Sequence, residues 1–125
     1  MPKLILIAED EDNIALAFEF FVQRQGYRVR RVADGDAALA AVRDETPDLV
    51  VLDIMLPGHT GHEICQSIRR DPSLASVRIL IMTARGGKME RAKALAIGAD
   101  AFLTKPFGST ELLAQIRELI GDAGP

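Results

Sequence analysis

The sequence predicts an α/β domain built on a doubly wound parallel sheet. Two observations support this fold class: five short segments rich in Ile, Val and Leu recur along the chain, and a helical pattern follows each one. Parallel strands need crossover connections, and right-handed crossovers place helices on both faces of a sheet. Five such β-then-α units therefore predict a five-stranded parallel sheet with five helices.

The predicted strands lie in the five apolar segments. They are residues 3–8, 27–33, 49–53, 78–83 and 101–105. The first, third and fourth segments are almost continuously apolar, as strands are when helices cover both faces of the sheet. The second segment alternates between apolar and basic residues, which is typical of an edge strand.

The predicted helices have recognisable ends and apolar faces. The first runs from an Asp12 cap to a stop at Gly26, the second starts after Asp34, and the third follows Gly61. The fourth spans roughly residues 88–97, and the fifth begins near Ser109. The residues predicted to face the core are Ile14, Ala17, Phe18, Phe21 and Val22 in the first helix, Ile64, Cys65 and Ile68 in the third, and Leu112, Leu113, Ile116, Leu119 and Ile120 in the fifth. Residues 85–88 are expected to form a mobile loop before the fourth helix.

Composition restricts the classes of function. The 125 residues fit one domain, 1–125, in which 121–125 resemble a tail or the start of a linker. The net charge of -3 supplies no basic field, so we expect no direct nucleic acid binding. The apolar runs are too short to span a membrane, and the start of the chain does not fit a signal peptide. A single cysteine, Cys65, favours the reducing cytoplasm.

Polar side chains follow the predicted strands at the edge where ligands bind in open parallel sheets. Glu9 and Asp10 follow the first strand, Asp53 ends the third, Thr83 ends the fourth, and Lys105 ends the fifth. Because the carboxyl ends of parallel strands share one edge, these groups should converge. Three carboxylates, a hydroxyl and an ammonium group would then face one another.

This set of groups predicts a Mg²⁺-dependent phosphoryl-transfer site. Clustered carboxylates repel one another unless a cation lies among them, and Mg²⁺ prefers oxygen ligands. Asp10 and Asp53 are the expected direct ligands, with Glu9 acting through water. Asp53 can also act as a nucleophile and form an aspartyl phosphate. Lys105 and Thr83 would bind the phosphoryl oxygens.

In order and spacing these residues resemble the receiver domains of two-component response regulators over essentially the whole chain. The matching motifs are the acidic run at residues 9–11, Asp53 in LVVLDIMLPG, Thr83 in MTA, Phe102 in GADAFLTKPF, and Lys105 before Pro106. By this resemblance the acidic run binds metal, Asp53 is the phosphoacceptor, and Lys105 contacts phosphate. Thr83 and Phe102 would be the switch residues.

The resemblance implies further structure. It places a backbone carbonyl of Met55 on Mg²⁺ and makes the Lys105–Pro106 peptide bond cis, which X-Pro bonds permit at low cost. It also implies the flavodoxin-like strand order 2-1-3-4-5. His62 occupies a position that is often apolar in the family.

The resemblance also implies a partner and an output. A sensor histidine kinase or phosphotransfer domain would donate its phosphoryl group to Asp53, and phosphorylation would reshape the surface of helix four, strand five and helix five. The domain would catalyse only its own phosphorylation and dephosphorylation, so it is not expected to be an enzyme. Leu16 and Phe20 form either an exposed apolar docking spot beside this site or a satellite of the core.

One family branch dimerises through charge pairs on that surface. Arg91 and Glu111 match its pattern, but Ala101 and Gln115 stand where that branch carries an acid and an arginine. One expected ion pair is therefore absent, and such pairs set register and partner choice. The prediction is a monomer or a weak phosphorylation-dependent dimer.

Two other classes share parts of this pattern. A Mg²⁺-dependent phosphatase of the haloacid dehalogenase kind also uses an aspartyl nucleophile, but it needs a second acid where Met55 stands. A flavin-binding flavodoxin-like module would need stacking groups, and aromatic residues make up only 5% of the chain, with no Trp. Both remain alternatives at the level of the sequence.

Overall fold

A computed structural model describes residues 2–84 and 86–124. Five parallel strands form one sheet: β1 (Leu4–Ala8), β2 (Arg28–Val32), β3 (Leu49–Asp53), β4 (Arg78–Thr83) and β5 (Ala101–Thr104). Their order is β2-β1-β3-β4-β5, and every neighbouring pair is parallel. This confirms the predicted fold class and strand order. It also confirms the alternating strand, β2, as an edge strand, whose exposed arginines discourage pairing with another chain.

Five helices connect the strands: α1 (Asp12–Arg24), α2 (Gly35–Glu45), α3 (Gly61–Arg70), α4 (Lys88–Ala96) and α5 (Ser109–Ile120). A short 3₁₀ turn at Pro72–Leu74 follows α3. The Asp34 side chain caps α2 by accepting a hydrogen bond from the Ala37 N–H at 2.8 Å. A reciprocal capping box of Thr60 and Glu63 begins α3. Arg85, expected in the loop before α4, and Pro125, the end of the predicted tail, lie outside the described residues.

The first helix differs from its prediction at its start and on one face. Asp12 is the first helical residue, and Glu11 occupies the N-cap without a side-chain capping bond, so the predicted Asp12 cap is wrong. Ala15 is buried, whereas Ala17 is exposed. Both alanines lie three or four residues from other apolar positions, so periodicity alone could not separate them. The neighbours Phe18 and Val22 are buried as predicted.

The core lies in two layers, one on each face of the sheet. Because side chains alternate between the two faces along β3, Val50 and Leu52 lie in one layer and Leu49 and Val51 lie in the other. The first layer also holds buried residues of α2, α3 and α4, and the second holds those of α1 and α5. Cys65 belongs to the first layer, where burial raises the pKa of its thiol to about 11. This confirms it as a core residue.

Ala123 is anchored to the segment before β1. Ala123 is buried, and its carbonyl accepts a hydrogen bond from the Lys3 N–H at 2.8 Å. The Tyr27 hydroxyl donates to the carbonyl of Gly121. Gly121 and Ala123 are therefore bound to the domain, while Asp122 and Gly124 between and after them are exposed. Across residues 2–84 and 86–124, no helix combines the length and apolar character that crossing a membrane requires.

Candidate functional site

The predicted site residues converge at the carboxyl edge of the sheet. Glu9 follows β1, Asp53 ends β3, and Thr83 ends β4. Lys105 follows β5 and continues its pairing, since its N–H donates to the Thr83 carbonyl at 2.7 Å. Carboxylate oxygens of Glu9, Asp10 and Asp53 all lie within 4.8 Å of one another. The parallel arrangement alone brings these groups together, because every strand ends at the same edge.

Lys105 links the two buried carboxylates of the cluster. Its Nζ donates to Oε1 of Glu9 at 2.6 Å and to Oδ2 of Asp53 at 2.9 Å. Burial opposes the charge on Lys105, but hydrogen bonds and attraction from Glu9 and Asp53 outweigh it and raise its pKa. The ammonium group is therefore held in its charged form beside Asp53. The Lys105–Pro106 peptide bond is cis, as the resemblance implied.

Glu9 is fully buried, although it was expected to reach a metal through water. Burial raises the pKa of this carboxyl, and hydrogen bonds from Lys105 and from the Glu11 N–H act in the opposite direction. Three carboxylates here face one ammonium group, which leaves an excess of negative charge. Sequence reasoning missed the pairing of Glu9 with Lys105, because it depends on two strands that are distant along the chain.

The loop after β3 folds back onto Asp53. Oδ1 of Asp53 accepts a hydrogen bond from the Met55 N–H at 3.1 Å, while the Met55 side chain remains exposed. At the far end of this loop, the Gly61 N–H donates to the Ile54 carbonyl at 2.9 Å. A Cβ on Gly61 would lie 2.7 Å from the Asp53 carbonyl oxygen. Glycine is therefore required at the start of α3 for this close approach.

The two predicted switch residues lie beside the site. Thr83 is buried at the end of β4. Asp53 of the neighbouring strand pairs with Met82, the residue directly before Thr83. Phe102 is 6% exposed, so its ring already belongs to the core, in the layer that contains Ala94 of α4.

Sequence reasoning also missed Arg31 of β2. Its Nε donates to the backbone carbonyl of Glu9 at 2.9 Å, and its Nη1 lies 2.9 Å from Oδ1 of Asp12. The available signal was a basic residue near the end of an edge strand beside the acidic loop. A second unpredicted pair joins His59 to Asp36 at 2.8 Å and links the Asp53 loop to α2.

The donor set fits a divalent cation of the magnesium type. Glu9, Asp10 and Asp53 each offer a carboxylate oxygen, and Mg²⁺ is commonly held by one or two such carboxylates. Asp10 is exposed, which leaves room for the water ligands that Mg²⁺ retains. The excess negative charge at the site would be offset by such an ion.

The fold and this edge define a class: a doubly wound α/β domain with a carboxylate cluster and a lysine at the carboxyl ends of its strands. The family described as "Response regulator receiver domain" matches residues 5–117. The chain belongs to this family. It is therefore a receiver domain of two-component signalling, and the phosphatase and flavin-binding alternatives are not favoured.

Individual relatives agree with this assignment. The chain is 36% identical over 125 residues to the phosphate regulon transcriptional regulatory protein PhoB of Rhizobium meliloti, covering 100% of this chain and 55% of that protein. It is 37% identical over 120 residues to the sensory transduction protein RegX3 of Mycobacterium tuberculosis, and the match covers 96% of this chain and 52% of that protein. The chain thus spans about half the length of these curated relatives.

A solved structure shares the fold closely. It is the receiver domain of the sensor histidine kinase PA1611 from Pseudomonas aeruginosa, with a magnesium ion coordinated in its active site cleft. The TM-score is 0.88 at 30% identity, covering 98% of this chain and 100% of that one. Receiver domains are signalling modules, and this chain has their architecture throughout.

Proposed function

We propose that Asp53 accepts a phosphoryl group from a phosphohistidine of a sensor histidine kinase or phosphotransfer domain. The observation that carries the proposal is the setting of Asp53, which is buried, 2.9 Å from Lys105 Nζ and within 4.8 Å of Glu9 and Asp10. A carboxylate in this setting can attack phosphorus while cations neutralise the charge of the phosphoryl oxygens. The reaction belongs in the reducing cytoplasm, a location supported by the single, buried thiol of Cys65.

Each residue has a role in this proposal. Asp10 and Asp53 would hold Mg²⁺ directly, with the carbonyl of Met55, and Glu9 would act through water. When bound, Mg²⁺ would supply positive charge to the phosphoryl oxygens. A carboxylate oxygen of Asp53 forms the new bond to phosphorus as the bond from phosphorus to the donor imidazole breaks. The Lys105 ammonium group stabilises the transferred oxygens, and hydrolysis later returns Asp53 to a free carboxylate.

Thr83 and Phe102 would convert this modification into a change of surface. The Thr83 residue lies next to the phosphoacceptor strand and can hydrogen-bond a phosphoryl oxygen. Because Phe102 is already buried, phosphorylation would stabilise an inward arrangement of its ring and shift the population of α4, β5 and α5. Catalysis by the chain would be limited to its own phosphorylation and dephosphorylation.

An apolar groove beside Lys105 supports docking of the phosphodonor. It runs between α1 and the loop after β5, and its apolar lining includes Ile14, Ala17, Phe21, Pro106 and Phe107.

On the same helix, Leu16 is 63% exposed and Phe20 is 55% exposed, which favours the docking interpretation of this pair over a core satellite. A partner helix bound here would lie close enough to present its histidine to Asp53.

Chemical phosphorylation tests the proposal. The purified chain is incubated with acetyl phosphate and Mg²⁺, and its intact mass is measured. One phosphoryl group should be added to the native chain and to Asp44→Asn, which removes an exposed carboxylate of α2. The variant Asp53→Asn and samples treated with EDTA should gain nothing. An unchanged mass of the native chain, or equal labelling of Asp53→Asn, would contradict the proposal.

A further inference from the structure

We infer that Arg31 is a positioning residue for the Mg²⁺-binding loop, an inference that rests on the proposed function. The loop in question is the turn from β1 into α1, residues 9–12, which carries two of the three clustered carboxylates. Arg31 lies outside this loop and contributes no ligand. Its role would be to hold the loop in the conformation that directs those carboxylates at the ion.

The guanidinium group of Arg31 bridges the two ends of the loop. Nε donates to the Glu9 carbonyl at 2.9 Å, and Nη1 pairs with Oδ1 of Asp12 at 2.9 Å. Arginine suits this position because its rigid planar guanidinium presents Nε and Nη1 at two fixed, separate points, whereas the lysine ammonium is a single point charge on a flexible stem. The side chain of Arg31 is only 24% exposed, so neighbouring residues restrict its movement.

Backbone pairing adds a second anchor at the same point. Arg31 pairs with Ile7 in the parallel register of β1 and β2, and the Glu9 N–H donates to the Val32 carbonyl at 3.0 Å. Both polar groups of the Glu9 backbone are therefore bound by consecutive residues of β2. These bonds determine the direction in which the chain leaves the sheet towards Asp10.

The orientation of Asp10 depends on this anchoring. Its side chain is exposed, and no described residue forms a hydrogen bond with its carboxylate. Its position is therefore set by the backbone on either side of it, which Arg31 fixes. Loss of the bridge should let the loop sample conformations in which Asp10 points away from Glu9 and Asp53.

Charge and geometry predict opposite effects of removing Arg31. A positive charge near a cation site weakens binding of the cation, so its loss alone would tighten Mg²⁺ binding. However, the Asp12 carboxylate already offsets the charge of Arg31. The geometric effect should therefore dominate. Residues that orient ligands typically contribute 10- to 100-fold to metal affinity, and about tenfold weaker Mg²⁺ binding is expected here.

Mg²⁺ titration by isothermal calorimetry tests this inference on the native chain, Arg31→Gln and the matched control Arg30→Gln. Arg30 is the preceding residue on the same strand and pairs with Glu45 of α2, so its substitution removes the same charge without touching the loop. We expect about tenfold weaker binding for Arg31→Gln and unchanged or slightly tighter binding for Arg30→Gln. Native-like affinity of Arg31→Gln, or equal weakening in both variants, would overturn the inference.

Two gentler variants keep the test valid if Arg31→Gln folds poorly. Arg31→Lys keeps the charge but loses the fork, and Asp12→Ala removes one of the two contacts; both should weaken Mg²⁺ binding partially. Thermal unfolding in EDTA verifies that each variant is folded. If both folded variants bind Mg²⁺ as tightly as the native chain, the contacts of Arg31 with the loop do not position the metal ligands.

A kinetic measurement distinguishes an effect of Arg31 on Mg²⁺ binding from an effect on the phosphoryl-transfer step. In acetyl phosphate labelling, Arg31→Gln should need more Mg²⁺ to reach half its maximal rate, while the rate at saturating Mg²⁺ equals that of the native chain. A lower maximal rate with unchanged Mg²⁺ dependence would refute positioning. If the native chain itself fails to bind Mg²⁺, or Asp10→Asn binds it normally, the proposed function fails together with this inference.

Discussion

At the scale of single residues, the central feature of the site is the ammonium group of Lys105, which lies among acidic side chains. Lys105 is hydrogen-bonded to Glu9 and Asp53, and all three side chains are largely buried. Buried ion pairs recover their cost of desolvation only while both partners are present. Removal of the lysine would leave two uncompensated carboxylates, whereas a bound divalent cation could replace part of its charge.

The substitution Lys105→Met should therefore destabilise the domain in a way that Mg²⁺ corrects. In EDTA we expect the free energy of unfolding to fall by about 3 kcal/mol, measured by urea denaturation. Added Mg²⁺ should stabilise the variant more than the native chain, because the unpaired carboxylates bind it more tightly. Lys93→Met, which changes an exposed lysine of α4, is the control and should change stability little. Equal losses in the two variants would show that Lys105 has no special role in stability.

At the scale of elements, the packing of α3 against α4 contains a polar group without a partner. Nε2 of His62 is buried and has no hydrogen-bond partner among the described residues. Burial lowers the pKa of His62, Lys93 of α4 lowers it further, and Glu90 of the same helix acts in the opposite direction. The folded domain therefore favours the neutral imidazole at this contact.

This contact predicts a specific pH dependence of stability. Above a pH of about 6.5, the ordinary pKa of histidine, His62 is neutral in both the folded and the unfolded chain. As the pH falls below that value, the unfolded chain takes up a proton that the folded chain resists, so the free energy of unfolding declines. The decline ends once the pH is below the lowered pKa of the folded state.

Replacement of His62 should remove this part of the pH dependence. Urea denaturation of the native chain, His62→Leu and His62→Gln is compared between about pH 7 and pH 5. Both variants lack the titrating ring, so the stability of the native chain should decline more steeply than theirs. Parallel curves for all three proteins would contradict the argument.

At the scale of the whole molecule, the surface of α4, β5 and α5 determines how a phosphorylated chain could associate. Arg91 and Glu111 are exposed and line one groove together with Gln115. Ala101 is buried in the core and offers no charged group to a partner. Exposed ion pairs contribute about 1 kcal/mol or less each, but they set register and partner choice.

We therefore expect no tight dimer after phosphorylation. Sedimentation velocity of the chain treated with acetyl phosphate and Mg²⁺ should give mainly monomer, with at most weak association at high concentration. Arg91→Ala serves as the control for this face and should leave the sedimentation coefficient unchanged. A tight symmetric dimer that Arg91→Ala disrupts would contradict the prediction.

Much of the fold could be predicted from local patterns. The strand bounds agree within one residue, and the predicted edge strand, the start of the second helix after Asp34 and the core role of Cys65 are confirmed. The misassigned Asp12 cap and the exposed Ala17 mark the limit of such patterns. In α1 the helical period permits two apolar faces, and only packing against the sheet selects one.

By itself, the sequence determined which residues stand at the carboxyl edge of the sheet, because each follows a strand whose apolar composition is a local property. Only the tertiary structure decided how those residues pair. Lys105 binds Glu9, although the two are 96 positions apart in the chain, and Arg31 reaches the Glu9 carbonyl from a neighbouring strand. Such contacts depend on distances between strands that come together only on folding, and a linear pattern does not contain those distances.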